Sequence, residues 1–120
     1  MKHKGWDYLD HMVQACDELT ECMEGIHSAQ DLKESVLAKR AVTMCLLDLG
    51  ELFKSLTTEE KAEYPSSDWQ HVIGFRNRAA HGYHDLDFGI IFDIVVNTVP
   101  PLSKFLKEKQ KARSDDDIQT

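Results

Sequence analysis

Apolar residues recur every three or four positions along most of this chain. From Trp6 to Ile26 they fall at Trp6, Leu9, Val13, Cys16, Leu19, Met23 and Ile26, the spacing of one face of an amphipathic helix. Gly25 and the Ser28-Ala29-Gln30 stretch punctuate it. A second segment, Asp31 to Leu56, carries apolar residues on more than one stripe, among them Leu32, Val36, Leu37, Ala41, Met44 and Leu49. The pattern predicts one central helix buried on several sides.

Polar residues mark the next boundaries. Thr57-Thr58-Glu59-Glu60 reads as a T-x-x-E capping box opening a short helix that Pro65 ends. Ser67-Asp68-Trp69-Gln70 reads as a second box, opening a helix through Val72, Ile73, Arg76 and Ala80, with Gly82 as its C-terminal stop. Asp85 or Asp87 can cap the last helix, whose apolar face runs from Leu86 to Leu106. Pro100-Pro101 falls inside that face and predicts a kink or break near Thr98, because proline lacks an amide donor and clashes with the preceding turn. Short connections and no strand signal predict an all-α, antiparallel four- to five-helix bundle with a Pro-kinked or broken last helix. Residues 1–110 read as a single domain and 111–120 as a polar, disordered tail.

Composition narrows the classes of function. A quarter of the 120 residues are Leu, Ile, Val or Phe, enough for a core. No apolar run approaches the roughly 18–20 residues of a membrane span, and no apolar stretch follows the N-terminal lysines, so a cytoplasmic protein is expected. The net charge of −7 opposes coating of long nucleic acid, so RNA contact must rest on a local patch. The five basic residues from Lys104 to Arg113 are a weak candidate for such contact, and read more simply as a solvated helix end. Cys16, Cys22 and Cys45 form no C-x-x-C pair and read as reduced core residues.

The reactive side chains concentrate in His71 to Asp87, HVIGFRNRAAHGYHDLD. Histidine exchanges protons near neutral pH and arginine holds a phosphate bidentately. Together they suit phosphodiester cleavage without metal, with the ribose 2′-hydroxyl as nucleophile. Arg76 and His81 lie about 140° apart on a straight helix. Either the helix ends before His81, or the two groups come from different subunits. Read as structure alone, Arg76 and Arg78 are helix-end surface charges and His81 a C-terminal cap.

At these residues the sequence resembles a known family. Arg76-Asn77-x-x-x-His81-x-Tyr83 resembles the R-x4-6-H-x-Y signature of HepT-like toxins, a branch of the HEPN superfamily. Leu49-Gly50-Glu51, Tyr64-Pro65, the helix start from Trp69 to Gly74, and Val99-Pro100-Pro101-Leu102 extend the resemblance from about Tyr8 to Leu106. It implies a HEPN-type helical bundle that dimerises and brings two motifs into one cleft. It implies a metal-independent endoribonuclease toxin of a type VII-like toxin–antitoxin module, with no cofactor. Arg76 would then bind the scissile phosphate, His81 would act as general acid or base, and Asn77 would support them. Tyr83 matches the tyrosine to which an MNT-type nucleotidyltransferase antitoxin adds AMP. Arg78 and His84 also fit the loose spacing and are candidates for binding RNA phosphate. The alternative is a non-catalytic HEPN binding module, serving as substrate or regulatory subunit of that transferase.

Other residues have plainer readings. His81, His84, Asp85 and Asp87 lack a repeated i, i+4 pair, so no metal is expected. Trp69 reads as core rather than as a base-stacking platform. Glycine at position 50 is costly mid-helix unless it permits a tight crossing, and Glu51 is placed to pair with an arginine of the motif. Lys39 and Arg40 are candidate cations at the rim of the cleft, and read more simply as solvated helix charges.

Overall fold

The computed structural model describes residues 4–64 and 66–119. Among these are seven α-helices and no strand: α1 (Lys4–Cys22), α2 (Ala29–Glu34), α3 (Val36–Lys54), α4 (Thr58–Lys61), α5 (Ser66–Ala79), α6 (Phe88–Asp93) and α7 (Val99–Gln119). A 3-10 turn, Tyr83–Asp85, precedes α6, and a π-helical segment, Ile94–Thr98, joins α6 to α7. The all-α bundle expected from the apolar periodicity is what forms.

The first helix ends as the sequence predicts, at a turn where Gly25 takes a φ of +81°. The side chain of Trp6, which opened the predicted apolar stripe, lies outside the described residues. The predicted single helix from Asp31 to Leu56 is in fact two. Ser35 adopts extended backbone (φ −102°, ψ 105°), and its hydroxyl accepts from the Ala38 amide, capping α3 just where α2 stops. A serine hydroxyl competes for backbone donors in this way, and the apolar period alone does not register it.

The first capping box forms as predicted. The Thr57 hydroxyl accepts from the Glu60 amide, and the Glu60 carboxylate accepts from the Thr57 amide. The Ser67 side chain of the second box lies outside the described residues. Asp87 rather than Asp85 caps α6, its Oδ1 accepting from the Gly89 and Ile90 amides.

The two prolines do not stop the last helix. The Val99 amide reaches back to the Ile94 carbonyl, and the widened π turn carries the chain into α7, with Pro100 and Pro101 in its first turn. The last helix is thus joined from pieces. The unbroken stretch Phe88–Arg113 is, against the sequence expectation, long and apolar enough to cross a membrane by length and composition. Ile91, Ile94, Val95, Val99, Leu102 and Leu106 of this stretch are buried in the bundle, while Ile90 and Val96 are each 45% exposed.

The core joins Leu9, Met12 and Leu19 of α1 to Val42, Leu46 and Leu49 of α3, and to Trp69, Val72 and Phe75 of α5. α3 packs between α1 and α5, and α7 packs on α1. Along that last contact Lys107 pairs with Asp17 and Arg113 with Asp10, each at 2.9 Å, while Lys109 pairs with Glu63 at 3.4 Å. Much of the basic stretch from Lys104 to Arg113 therefore serves contacts within the chain.

Candidate active site

The site begins where α3 crosses α5. Gly50 is buried in α3, and a Cβ built on it would lie 2.9 Å from Arg76 Cβ and 3.3 Å from Arg76 Cγ. The absence of a side chain at position 50 is what admits the Arg76 stem. One residue on, Glu51 Oε1 accepts from Arg76 Nε at 2.5 Å. Asn77 Oδ1 accepts from Arg76 Nη1 at 3.2 Å. Both expectations from the sequence, a tight crossing at Gly50 and a Glu51–arginine pair, are met.

The Arg76 side chain is 23% exposed, held by two exposed partners, Glu51 and Asn77, while part of it stays in reach of solvent. A charge-assisted pair of this kind sets orientation more than it adds stability at a surface.

α5 ends at Ala79, before His81. The amides of Ala80, His81 and Gly82 bond back to the carbonyls of Arg76, Arg78 and Ala79, and Gly82 takes a φ of +141°. His81 thus leaves the helical array, the first of the two solutions to the 140° separation. Its side chain is exposed and makes no hydrogen bond, ion pair or ring contact among the described residues. Arg78 and His84 are exposed too.

Tyr83 belongs to a second cluster. The Arg40 guanidinium lies over its ring, 4.0 Å from the centroid. His84 and Phe88 meet the same ring edge-on at 5.9 and 5.8 Å, and Lys39 Nζ stands 5.6 Å above Phe88. Lys39 and Arg40 are therefore more than solvated charges: Arg40 lies over Tyr83 of the motif, and Lys39 over Phe88 just beyond it. The signal missed was tertiary, since nothing in the sequence near Arg40 announces Tyr83 as its partner.

These contacts also give direction. Arg76 crosses Gly50, whereas Tyr83, seven residues later, reaches Arg40, ten residues earlier. The motif segment runs antiparallel to α3.

Other candidates resolve plainly. Trp69 is core, 1% exposed and stacked on Phe53 at 4.2 Å with an 8° interplanar angle. A cavity of about 440 Å³ runs past Trp69, Gly74 and Asn77. A larger groove of about 730 Å³, between α1 and α7, is lined by none of the motif residues. Burial pushes the Cys16 and Cys45 thiols up to about 12, so neither is a thiolate nucleophile near neutral pH. No cluster of three His, Cys, Asp or Glu side chains suited to a metal occurs among the described residues.

Comparison with known proteins decides the family. The HepT-like ribonuclease family model matches residues 12–108. The chain belongs to the HepT-like ribonuclease family. Among its relatives is a protein of Caldanaerobacter subterraneus subsp. tengcongensis, provisionally named an RNase. It is 32% identical over 101 residues, covering 84% of this chain and 89% of that one. A Methanocaldococcus jannaschii protein, also provisionally named an RNase, is 30% identical over 103 residues, 86% of this chain and 81% of the other. A Thermococcus cleftensis protein provisionally named ribonuclease HepT is 26% identical over 108 residues, 89% of this chain and 97% of the other. No solved structure matches.

Proposed function

We propose that this HepT-like chain is a metal-independent endoribonuclease of the R-x4-H type, with Arg76, Asn77 and His81 as its catalytic set. One observation carries the reading. Arg76 is held in place by Glu51 and Asn77 and stays partly accessible, five residues before the exposed and unengaged His81. That is the minimum equipment for transesterification of RNA. His81 takes the proton of the 2′-hydroxyl, whose oxygen attacks phosphorus as the bond to the 5′-oxygen breaks. The departing oxygen gains a proton, leaving a 2′,3′-cyclic phosphate and a 5′-hydroxyl. Arg76 offsets the charge gathering on the phosphoryl oxygens. The need for a 2′-hydroxyl restricts the substrate to RNA. Arg78 and His84, exposed on either side of His81, supply further contacts to RNA phosphate.

The reaction needs a base and an acid, and each chain offers one His81. A homodimer that faces two motifs into one cleft supplies both. The wider setting we infer is a cytoplasmic toxin–antitoxin pair, whose MNT-type nucleotidyltransferase adds AMP to Tyr83. Tyr83 is half-buried on an exposed turn, and a bulky anion there would obstruct RNA by sterics and repulsion. The presentation of Tyr83 under Arg40 also supports a second reading, in which the chain is chiefly the substrate subunit of that transferase.

RNA cleavage in excess EDTA tests the proposal. Wild type should cleave, and His81→Ala, folded to the same melting temperature, should not. Absence of cleavage by wild type whose mass shows no AMP sinks the ribonuclease reading and leaves the substrate-subunit one.

A further inference from the structure

Gly50 and Gly74 both sit inside long helices, and only the first has a reason within the fold. Gly50 admits the Arg76 stem. A Cβ built on Gly74, in the middle of α5, would meet among the described residues only Arg78 Nη2 at 3.9 Å, an ordinary contact with its own helix. Glycine there weakens the helix, and no crossing among the described residues requires it. A glycine of this kind serves where a ligand comes close to the backbone.

The space beside Gly74 is the cavity of about 440 Å³ on the flank of α5. Gln70, Gly74 and Asn77 line it from one face of the helix, about 10 Å from first to last. Ile73 and the half-buried Phe53, which stacks on Trp69, make it largely apolar. A small cavity with apolar walls and a few amides is suited to a flat heterocycle. Its polar groups are unengaged. The exposed Gln70 amide makes no hydrogen bond among the described residues, and the buried Trp69 indole N–H has no acceptor among them. Asn77 Oδ1 accepts from Arg76, which leaves Asn77 Nδ2 as a donor.

Cations stand at both ends. Arg76 and Arg78 flank Asn77 in sequence. At the Trp69 end, Lys61 also lines the cavity, 5.9 Å from the Phe53 centroid and with no ion-pair partner among the described residues. On a chain of net charge −7, cation, apolar cavity and cation in a row match the alternation of phosphate and base along a single strand. We propose that this cavity seats one unpaired nucleobase of the RNA, next to the nucleotide whose phosphate Arg76 holds. The base lies against the bare backbone at Gly74, and the Gln70 and Asn77 amides meet its edge. The inference rests on the ribonuclease reading and adds a base-selecting subsite to it, with Gly74 as the specificity-determining position.

Cleavage by the full chain tests the subsite, with Gly74→Leu filling the cavity and single-stranded RNAs of A, of U and of C compared side by side. Wild type should favour one base by about tenfold in KM, the scale of one seated base. Gly74→Leu should raise KM for that RNA about tenfold and erase the preference, while kcat stays within about twofold. A leucine variant that keeps both the KM and the preference overturns the subsite. So does one that changes the oligomeric state, since the glycine then serves subunit packing. Binding is read apart from cleavage. In a Trp6→Phe background Trp69 is the sole tryptophan, and at least one of the four nucleoside monophosphates should change its fluorescence. Ribose 5-phosphate, which has the phosphate and no base, should not, and Gly74→Leu should abolish the response. Equal responses to ribose 5-phosphate and the nucleotides, or none to any nucleotide, overturn the subsite. A wild type that cleaves no RNA yet binds a nucleotide in this way overturns the ribonuclease reading and upholds the base site.

Discussion

Gly50 and Arg76 touch where α3 crosses α5, so closely that a β-carbon on residue 50 would stand 2.9 Å from Arg76 Cβ. A glycine deep inside a helix costs about 1 kcal/mol against alanine. Here the cost is offset by position: the missing side chain lets the Arg76 stem pass, and Glu51 next to it takes the guanidinium. Two consecutive residues of α3 thus place one functional group on α5.

Gly50→Ala should therefore damage the site despite its better helix propensity. The clash is with a Cβ, which moves only with its backbone, and such overpacking costs about 1–3 kcal/mol against the roughly 1 kcal/mol gained. We expect a net loss of stability on the order of 1 kcal/mol, read as a lower urea midpoint. RNA cleavage should fall at least tenfold. An alanine variant as active as wild type would show that Arg76 does not need this crossing.

Glu51→Ala separates orientation from stability. The pair is short, but Glu51 is 48% exposed, so its loss should shift stability by less than about 1 kcal/mol. Freed of Glu51, the Arg76 fork wanders, and a displacement near 1 Å can cost roughly a hundredfold in rate. The expected result is a near-wild-type melting curve with a ten- to hundredfold loss in kcat/KM. Glu51→Gln, which keeps an acceptor oxygen, should recover part of it. A purely structural role predicts melting and activity falling together.

How far the sequence reveals all this depends on the range of the interaction. The Thr57/Glu60 box and the Asp87 cap are contacts within three residues, and they are legible because their partners are near in sequence. The Gly50–Glu51 crossing was legible for another reason: mid-helix glycine is costly and so demands a reason. The break at Ser35 was not legible because an apolar period carries through a single polar residue, while the break depends on its hydroxyl. The perturbation near Thr98 was legible because proline forbids the usual bond, but its π form was not, since that rule does not say which bond takes its place. Arg40 on Tyr83 was invisible, since 43 residues of chain separate them and only the packing of α5 along α3 brings them together.

Arg40→Ala should bare the Tyr83 ring. An exposed cation–π contact is worth about 0.5–1 kcal/mol, so the fold should survive with a small drop in stability. The sharper effect concerns modification. With a nucleotidyltransferase partner and ATP, wild type should gain one AMP by intact mass and Tyr83→Phe none. Arg40→Ala should gain it more slowly, having lost the group that holds the ring. The AMP-bearing protein should cleave RNA at least tenfold less than the bare one. Equal modification of wild type and Tyr83→Phe would move the acceptor elsewhere.

Alkaline pH should unfold this protein through three buried acids. Burial, with Asp17 adding to it, pushes Cys16 from 9.0 up to about 12. Burial, then the neighbouring Cys22, does the same to Cys45. Burial, then Glu63 and Glu60, moves Tyr64 from 10.0 up to about 12. In each case the folded chain keeps a proton that the unfolded chain releases more easily, so unfolding releases protons and rising pH favours it. The stabilisation is complete below about pH 9, and it drains away as pH climbs toward 12. Melting temperature should stay level from pH 7 to 8.5 and then fall steadily. Tyr64→Phe, which keeps the ring packed on Phe53 and Trp69, should blunt the upper part of that fall. Iodoacetamide at pH 8 should leave Cys16 and Cys45 unmodified in the native protein and label both in urea. Rapid labelling of both in the native protein would show that they are not the buried thiols this fold makes them.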